Sequence, residues 1–195
     1  MGRRNTNLQG SLPGIEFDHT TSFGGSLLKN SHAKKARPLS SKQALHIVLR
    51  SDWARGERSL LKNERVIQNT ILKIGRKNGV RVYRVSNAGN HLHLLVRFTK
   101  RRALQNFLRS SCGLIARKML GAERGSPHQD SFWSQRPFTR IVSWGRDFNS
   151  VLAYVKLNTL EALGFLDRRF TKAMPTQEIR NRILNEMSLA LGGTG

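Results

Sequence analysis

Cysteine, acidic side chains and long apolar runs are the scarce features of this chain, and each scarcity narrows what it can be. One cysteine, Cys112, stands in 195 residues, so no disulfide framework exists. It lies among apolar residues of a predicted helix with no base beside it in sequence, and it reads as a buried structural thiol. No apolar run approaches the roughly 18 residues a membrane span needs. A signal-peptide core is also missing, so a soluble, intracellular protein is expected. Met1-Gly2-Arg3-Arg4-Asn5-Thr6 fits the outline of a myristoylation site, but nothing else supports a lipid anchor. Acids number 12 against 34 Lys and Arg, giving a net charge of +22 and a sequence pI of about 11.7. Such a charge repels itself in a compact state unless counterions or a polyanion screen it, which makes nucleic acid the first partner to consider. A membrane surface would call for a long basic amphipathic helix, and none is found.

What is present suits one domain with polar ends. The hydrophobic fraction of 38% is enough for a compact middle, and no internal repeat is seen. Residues 1–41 read as a flexible basic N-terminal arm, with Gly10, Gly14, Gly24, Gly25, Pro13 and Pro38 and no apolar period. Such an arm is solvated when alone and tracks phosphates when nucleic acid arrives. A first strand spans 42–51, with Leu45, Ile47 and Leu49 on one face and His46, Val48 and Arg50 on the other. Leu60, Ile67, Ile71 and Ile74 then recur at helical spacing over about 58–76, and Asn78-Gly79 stops that helix. The Val-rich run 80–86 and the run 91–98 flank Asn87-Ala88-Gly89-Asn90, so they read as a hairpin. A helix over 103–120, a loop over 121–130, and an extended stretch over 132–144 broken at Pro137 come next. A helix over 147–163 ends at Gly164, and another is expected over 176–191 in a C-terminal extension, 167–195. The order is the split β-α-β-β-α-β of ferredoxin-like α+β domains, here over 42–166, with an added C-terminal helix that bears Tyr154. It predicts one antiparallel sheet with helices on one face and an open face carrying His46, Arg50, His91, His93 and Arg97.

Two groups of residues carry chemistry. In His91-Leu92-His93-Leu94-Leu95-Val96-Arg97-Phe98, alternation sends Leu92, Leu94, Val96 and Phe98 one way and His91, His93, Leu95 and Arg97 the other. Histidines at i and i+2 of one strand bring two imidazoles close enough to share a metal ion, and they are also what a solvated strand face shows. On the helix over 147–163, Tyr154 and Asn158 are four apart and share one side, next to the face formed by Phe148, Val151, Leu152, Val155, Ala162 and Leu163. A phenol can attack a phosphodiester beside a metal, and an amide oxygen suits a hard cation. The same two residues equally read as an amphipathic boundary tyrosine and a solvated asparagine.

His91-Leu92-His93, followed some sixty residues later by Tyr154-Val155-Lys156-Leu157-Asn158, resembles the single-tyrosine transposases of the HUH nuclease superfamily. It is closest to their REP-associated, IS200-like relatives. Phe132-Trp133-Ser134-Gln135-Arg136 resembles the family's stretch ahead of the tyrosine helix, and Glu161-Ala162-Leu163-Gly164-Phe165 resembles the close of that helix. The chain departs from the pattern at Ala88-Gly89-Asn90, where a proline usually precedes the first histidine, and at Thr159, where proline usually follows the asparagine. The resemblance implies His91, His93 and Asn158 as ligands of Mg²⁺ or Mn²⁺ and Tyr154 as nucleophile. It implies cleavage and strand transfer of single-stranded or hairpin DNA through a 5′-phosphotyrosine, and a cytoplasmic, nucleoid-associated place in a prokaryote. A homodimer with the tyrosine acting in cis or in trans is the further expected arrangement.

Arg50, Arg84, Arg97, Lys100, Arg101, Arg102, Arg136 and Arg140 are candidates for phosphate contacts, and Trp133, Phe132 and Trp144 for stacking on unpaired bases. For Phe132 and Trp144, burial in the core is the competing role. A non-catalytic nucleic-acid-binding protein on the same fold is the other functional class. That class would place aromatics in mid-strand on the open face, where this chain has histidines and arginines.

Overall fold

A computed structural model describes residues 20–28, 36–122 and 131–167. Alternating apolar residues build its central strands. β1 (Ser22–Phe23), β2 (Ala44–Arg50), β3 (Val80–Asn87), β4 (His91–Phe98) and β5 (Phe138–Val142) form one sheet in the order β1-β5-β2-β4-β3. Every pairing in it is antiparallel. α1 (Glu64–Lys77) follows β2, α2 (Arg101–Leu120) follows β4, and α3 (Arg146–Ala162) follows β5. This is the expected β-α-β-β-α-β order, with one more strand at the β5 edge.

The larger core lies between the sheet and the first two helices. Leu45, Ile47 and Leu49 of β2 and Leu92, Leu94, Val96 and Phe98 of β4 meet Ile67, Ile71 and Ile74 of α1 and Leu104, Phe107, Ile115 and Met119 of α2. Each such side chain, fully buried, contributes on the order of 1.5–3 kcal/mol. Period two in the strands and the i, i+4, i+7 stripe of α1 dictate this face. α2 stops at Gly121, whose φ of 64° lets the chain turn back in the left-handed region while Ala122 N–H bonds to Arg117 O at 3.1 Å, as helix ends commonly do.

Three sequence expectations change. α1 begins at Glu64, because 56–58 form a separate 3₁₀ turn. The strand expected over 132–144 shortens to Phe138–Val142: Pro137 has no N–H for the ladder, and the residues before it are held by two side-chain bonds and one backbone bond outside any ladder. Trp133 Nε1 donates to Cys112 O at 3.0 Å, Ser134 N to Arg50 O at 3.0 Å, and Ser51 Oγ to Phe132 O. The arm expected over 1–41 is in part built into the fold: Ser22 and Phe23 pair with Arg140 and Thr139. A two-residue strand has no period to read, and its anchor is backbone geometry. Gly24 has φ 87°, and a Cβ there would meet Pro137 O at 2.2 Å, so only glycine lets the arm approach so closely. Arg37 adds a second anchor, donating to Pro137 O at 2.9 Å and Thr139 Oγ1 at 2.7 Å, with its guanidinium over the Phe23 ring. The helix expected over 176–191 lies outside the described residues. Among the described residues no helix is long and apolar enough to cross a membrane.

Candidate active site

Antiparallel register sets the site out in cross-strand rows. One row runs Arg140, His46, Leu95, Arg84 across β5, β2, β4 and β3; the next runs Phe138, Val48, His93, Ser86; and Arg50 stands opposite His91 beyond them. His46 and His93 are therefore diagonal neighbours on one face, within reach of each other's side chains. Their rings meet with His46 Nε2 3.0 Å from His93 Nδ1, and both residues are 3% exposed. The His91 and His93 rings lie 4.9 Å apart, centre to centre. Asn90 Oδ1 stands 2.7 Å from His91 Nδ1, so with the amide oxygen accepting, the His91 lone pair falls on Nε2. The departure from the family pattern at Ala88-Gly89-Asn90 thus gives a hairpin, closed by Ala88 N–H on His91 O at 2.9 Å, whose last residue orients the first histidine.

The face expected to be open is covered. α3 lies across it rather than against the sheet edge, burying Val151 and Val155 on Ala44, Leu95 and Val142, with Tyr83, Phe148, Leu152 and Tyr154 packed around them. Period two separates the two faces of a strand but cannot say whether the second gains a cover, and the added helix supplies it. Ser86, beside His93 in the register, seats the helix. Its hydroxyl donates to Val155 O at 2.6 Å and meets the Thr159 hydroxyl. Thr159, the other departure, therefore ties α3 to β3, which a proline cannot do.

That seating brings Tyr154 to the histidines. Its ring stands edge-on to His93 at 5.6 Å and 88°, and to His46 at 6.5 Å and 84°. Asn158, 8% exposed, donates its amide N–H to Tyr154 O at 2.9 Å, which leaves its oxygen as the acceptor or ligand end. Burial lowers the pKa of His46 to about 3, with the Arg140 charge adding to the effect and Asp147 opposing it. Burial also pushes His93 well below its ordinary value, aided by His46 and His91. Both rings are therefore neutral across the physiological range, as ligands must be.

His93 Nε2 is buried with no hydrogen-bond partner, and so is His46 Nδ1. Among the described residues no three His, Cys, Asp or Glu side chains are grouped to hold a metal, so a cation here would rely on two imidazoles and an amide oxygen. An amide oxygen is a donor that Mg²⁺ and Mn²⁺ both accept, whereas two imidazoles are softer than Mg²⁺ prefers, so in type the set fits the transition ion Mn²⁺ better than Mg²⁺. The unpartnered His93 nitrogen is the atom such an ion would satisfy.

The basic candidates are dispersed. Arg50 lies near His91 and pairs with Asp52 at 3.3 Å. Arg84 lies in the His46 row with its Nε buried and unpartnered. Arg140 is 7% exposed and bound to Asp147 at 2.7 Å, so that carboxylate already holds the guanidinium expected on phosphate. Arg97, Lys100, Arg101 and Arg102 are exposed at the far end of β4; Arg97 donates weakly to Ser41 O and Arg101 to Arg37 O. Arg136 is exposed beside β5, and Trp133 packs on the main core with its indole N–H on Cys112. Phe132 is buried, whereas Trp144 is 43% exposed and packs on Tyr83 and Phe148. Cys112 is half-buried, and burial pushes its thiol up to about 12. Two features escaped the sequence. Trp53, 48% exposed, lines a cavity of about 670 Å³ with Asp52, Arg55, Glu57 and Arg58; no period marks such a loop. His46 could be placed on the histidine face but not in contact with His93, because only the pairing register of β2 and β4 makes them neighbours.

Residues 40–158 match the family model described as "Transposase IS200 like". No curated protein matches. Among solved structures, a REP-associated tyrosine transposase bound to a REP hairpin is similar at 12% identity and TM-score 0.48, covering 67% of this chain and 74% of its own. A putative transposase from Deinococcus radiodurans R1 is similar at 17% identity and TM-score 0.40, covering 64% of this chain and 97% of its own.

Proposed function

This chain belongs to the IS200-like transposase family, and from that premise we propose that it cleaves and rejoins single-stranded DNA beside hairpins, with Tyr154 as nucleophile. His91, His93 and Asn158 are the proposed ligands of Mg²⁺ or Mn²⁺. The observation that carries the reading is the edge-on packing of Tyr154 against His93, whose Nε2 is buried without a partner. A nucleophile and a cation site within one ring contact of each other are what attack on a phosphodiester requires. When bound, a divalent cation there supplies polarisation of the scissile phosphate and relief of its charge.

The chain's own residues do the rest. Tyr154 Oη gives up its proton and forms the new bond to phosphorus. The 3′ oxygen leaves as a hydroxyl, and the 5′ side stays on the tyrosine. A 3′-hydroxyl attacking that linkage reverses the step and releases Tyr154. One phosphodiester is exchanged for another each time, so neither direction needs ATP. The seat made by Ser86 and Thr159 fixes Tyr154 against the histidines.

Hairpin-bearing DNA is the proposed partner, in the nucleoid of a prokaryotic cytoplasm, with 42–166 as the catalytic unit and a homodimer as the proposed assembly. The net charge of +22 supplies affinity without sequence information. Arg37 has its pKa lowered to about 10 by burial and by the nearby Arg136 and Arg101 charges, crowding that a backbone phosphate relieves. Trp53, next to Arg55 and Arg58, offers an indole face to an unpaired base.

The test incubates the protein with Mn²⁺ and labelled hairpin-rich single-stranded DNA and looks for a covalent adduct on a denaturing gel. Tyr154→Phe is expected to lower adduct formation by at least about 10³-fold, and His91→Ala/His93→Ala to abolish it without weakening DNA binding. An adduct undiminished in Tyr154→Phe would remove that residue as nucleophile. Tight, salt-sensitive binding with no adduct from the wild type would replace the enzyme by a binding protein.

A further inference from the structure

His46 is the one ring of the cluster to which the proposed reaction gives no task. It stands in mid-β2, 3% exposed, with Nε2 3.0 Å from His93 Nδ1. The two ring planes differ by only 8° and their centres are 5.3 Å apart. Taken with the 3.0 Å nitrogen separation, that geometry describes two nearly coplanar imidazoles joined end to end by an N–H···N bond, rather than rings stacked face to face.

Two neutral imidazoles can form this bond in two ways. If His46 Nε2 donates, His93 carries its proton on Nε2, and a buried N–H points at no acceptor. If His93 Nδ1 donates, the unpartnered N–H lies instead on His46 Nδ1, and His93 Nε2 holds a lone pair, the form in which imidazole binds a cation. A cation on that nitrogen is what favours this second arrangement. Water cannot replace His46 as acceptor at 3% exposure, so the choice of tautomer belongs to the protein. His91 receives the same setting from Asn90 Oδ1 at 2.7 Å.

We propose that His46 is a positioning residue which, by accepting the Nδ1–H of His93, fixes His93 in the tautomer with its lone pair on Nε2 and holds its ring plane. Together, Asn90 and His46 set the lone pair of both β4 histidines on the same nitrogen. This deepens the reading of His91 and His93 as ligands and rests on it. His46 itself touches neither substrate nor cation.

The test uses the full-length chain labelled with ¹⁵N-histidine. Long-range ¹H–¹⁵N spectra of the metal-free protein report which His93 nitrogen carries the proton. Mn²⁺ titrations followed by electron paramagnetic resonance compare wild type, His46→Leu, His46→Gln and His93→Ala. The wild type is expected to show Nε2 of His93 unprotonated. His46→Leu is expected to lose that preference and bind Mn²⁺ about 10- to 100-fold more weakly, the usual loss for removing a ligand's partner. In His46→Gln the amide oxygen falls near the former Nε2, so the tautomer is kept and affinity stays within a few-fold. The proposal is overturned by a wild-type His93 protonated on Nε2, by His46→Leu binding Mn²⁺ like wild type, or by His46→Gln failing as badly as His46→Leu. If the wild type binds no Mn²⁺, the ligand reading falls by itself, and the tautomer spectrum still decides whether His46 sets His93. Should His46→Leu not fold, the wild-type spectrum and His46→Gln decide the matter.

Discussion

The two faces of this sheet follow different rules. Against α1 and α2, β2 and β4 present only aliphatic and aromatic side chains, and the helices answer with Ile67, Ile71, Leu104, Phe107 and Ile115. Against α3, the same strands present a small apolar patch of Ala44 and Leu95, surrounded by buried His46, His93, Ser86, Arg140 and Asn158. Four of the buried side-chain atoms without a partner, on His46, Arg84, His93 and Arg140, lie in two adjacent rows of that face. Buried polar atoms left unpaired each cost on the order of 1–3 kcal/mol. The face under α3 is therefore held at the expense of stability, which the aliphatic face supplies. Strain and unpaired polarity gather where chemistry is done, because groups already satisfied by the protein have nothing left to offer a ligand.

Three perturbations sharpen this contrast. The largest effect is expected on the aliphatic side: Phe107→Ala should lower unfolding free energy by about 3–5 kcal/mol, read by urea titration. No such loss should follow Tyr154→Phe, although that change removes adduct formation. A Phe107→Ala protein as stable as wild type would mean the main core is not where the fold is secured.

Acid should act through the other face. His46 has its pKa lowered from the ordinary 6.5 to about 3, and His93 is lowered as well. In this window the unfolded chain binds protons that the folded chain refuses, so the stability of the neutral rings is complete above about pH 6.5. It falls as pH drops from there toward about 3. The slope should approach about 1.4 kcal/mol per pH unit for each ring. Urea titrations at pH 7, 6 and 5 measure it, and His46→Gln/His93→Gln should flatten the profile. A wild-type profile no steeper than that of the double variant would show the rings are not buried neutral.

The smallest change tests the seat of α3. Ser86→Ala removes the bond to Val155 O and the contact with Thr159, at an expected cost of about 1–2 kcal/mol. Adduct formation in a single turnover should slow about tenfold while DNA affinity stays unchanged, since Tyr154 loses its register over His93 but the basic surface is intact. Equal losses in both would mean that Ser86 serves binding rather than alignment.

Much of this was legible in the residues. Leu45-Ile47-Leu49, Leu92-Leu94-Val96-Phe98 and Ile67-Ile71-Ile74 declare one buried face by period alone, and with the glycine and asparagine stops they gave the element order. His91-Leu92-His93 with Tyr154 and Asn158 carried the family resemblance that the match over 40–158 bears out. Other facts needed three dimensions. A two-residue strand such as Ser22–Phe23 has no period, Arg140 reads as surface charge until Asp147 is beside it, and Trp133 reads as a stacking residue until its N–H finds Cys112.

The sequence by itself determined the elements, the aliphatic face and the residue types brought to the site, because these depend on neighbours within a few positions along the chain. Only the tertiary structure decided that α3 closes over the second face, that Ser86 and Thr159 set Tyr154 over His93, and that His46 bonds to His93. Those are contacts between residues 47 to 73 positions apart, and pairing register and helix docking, which no local pattern encodes, choose them.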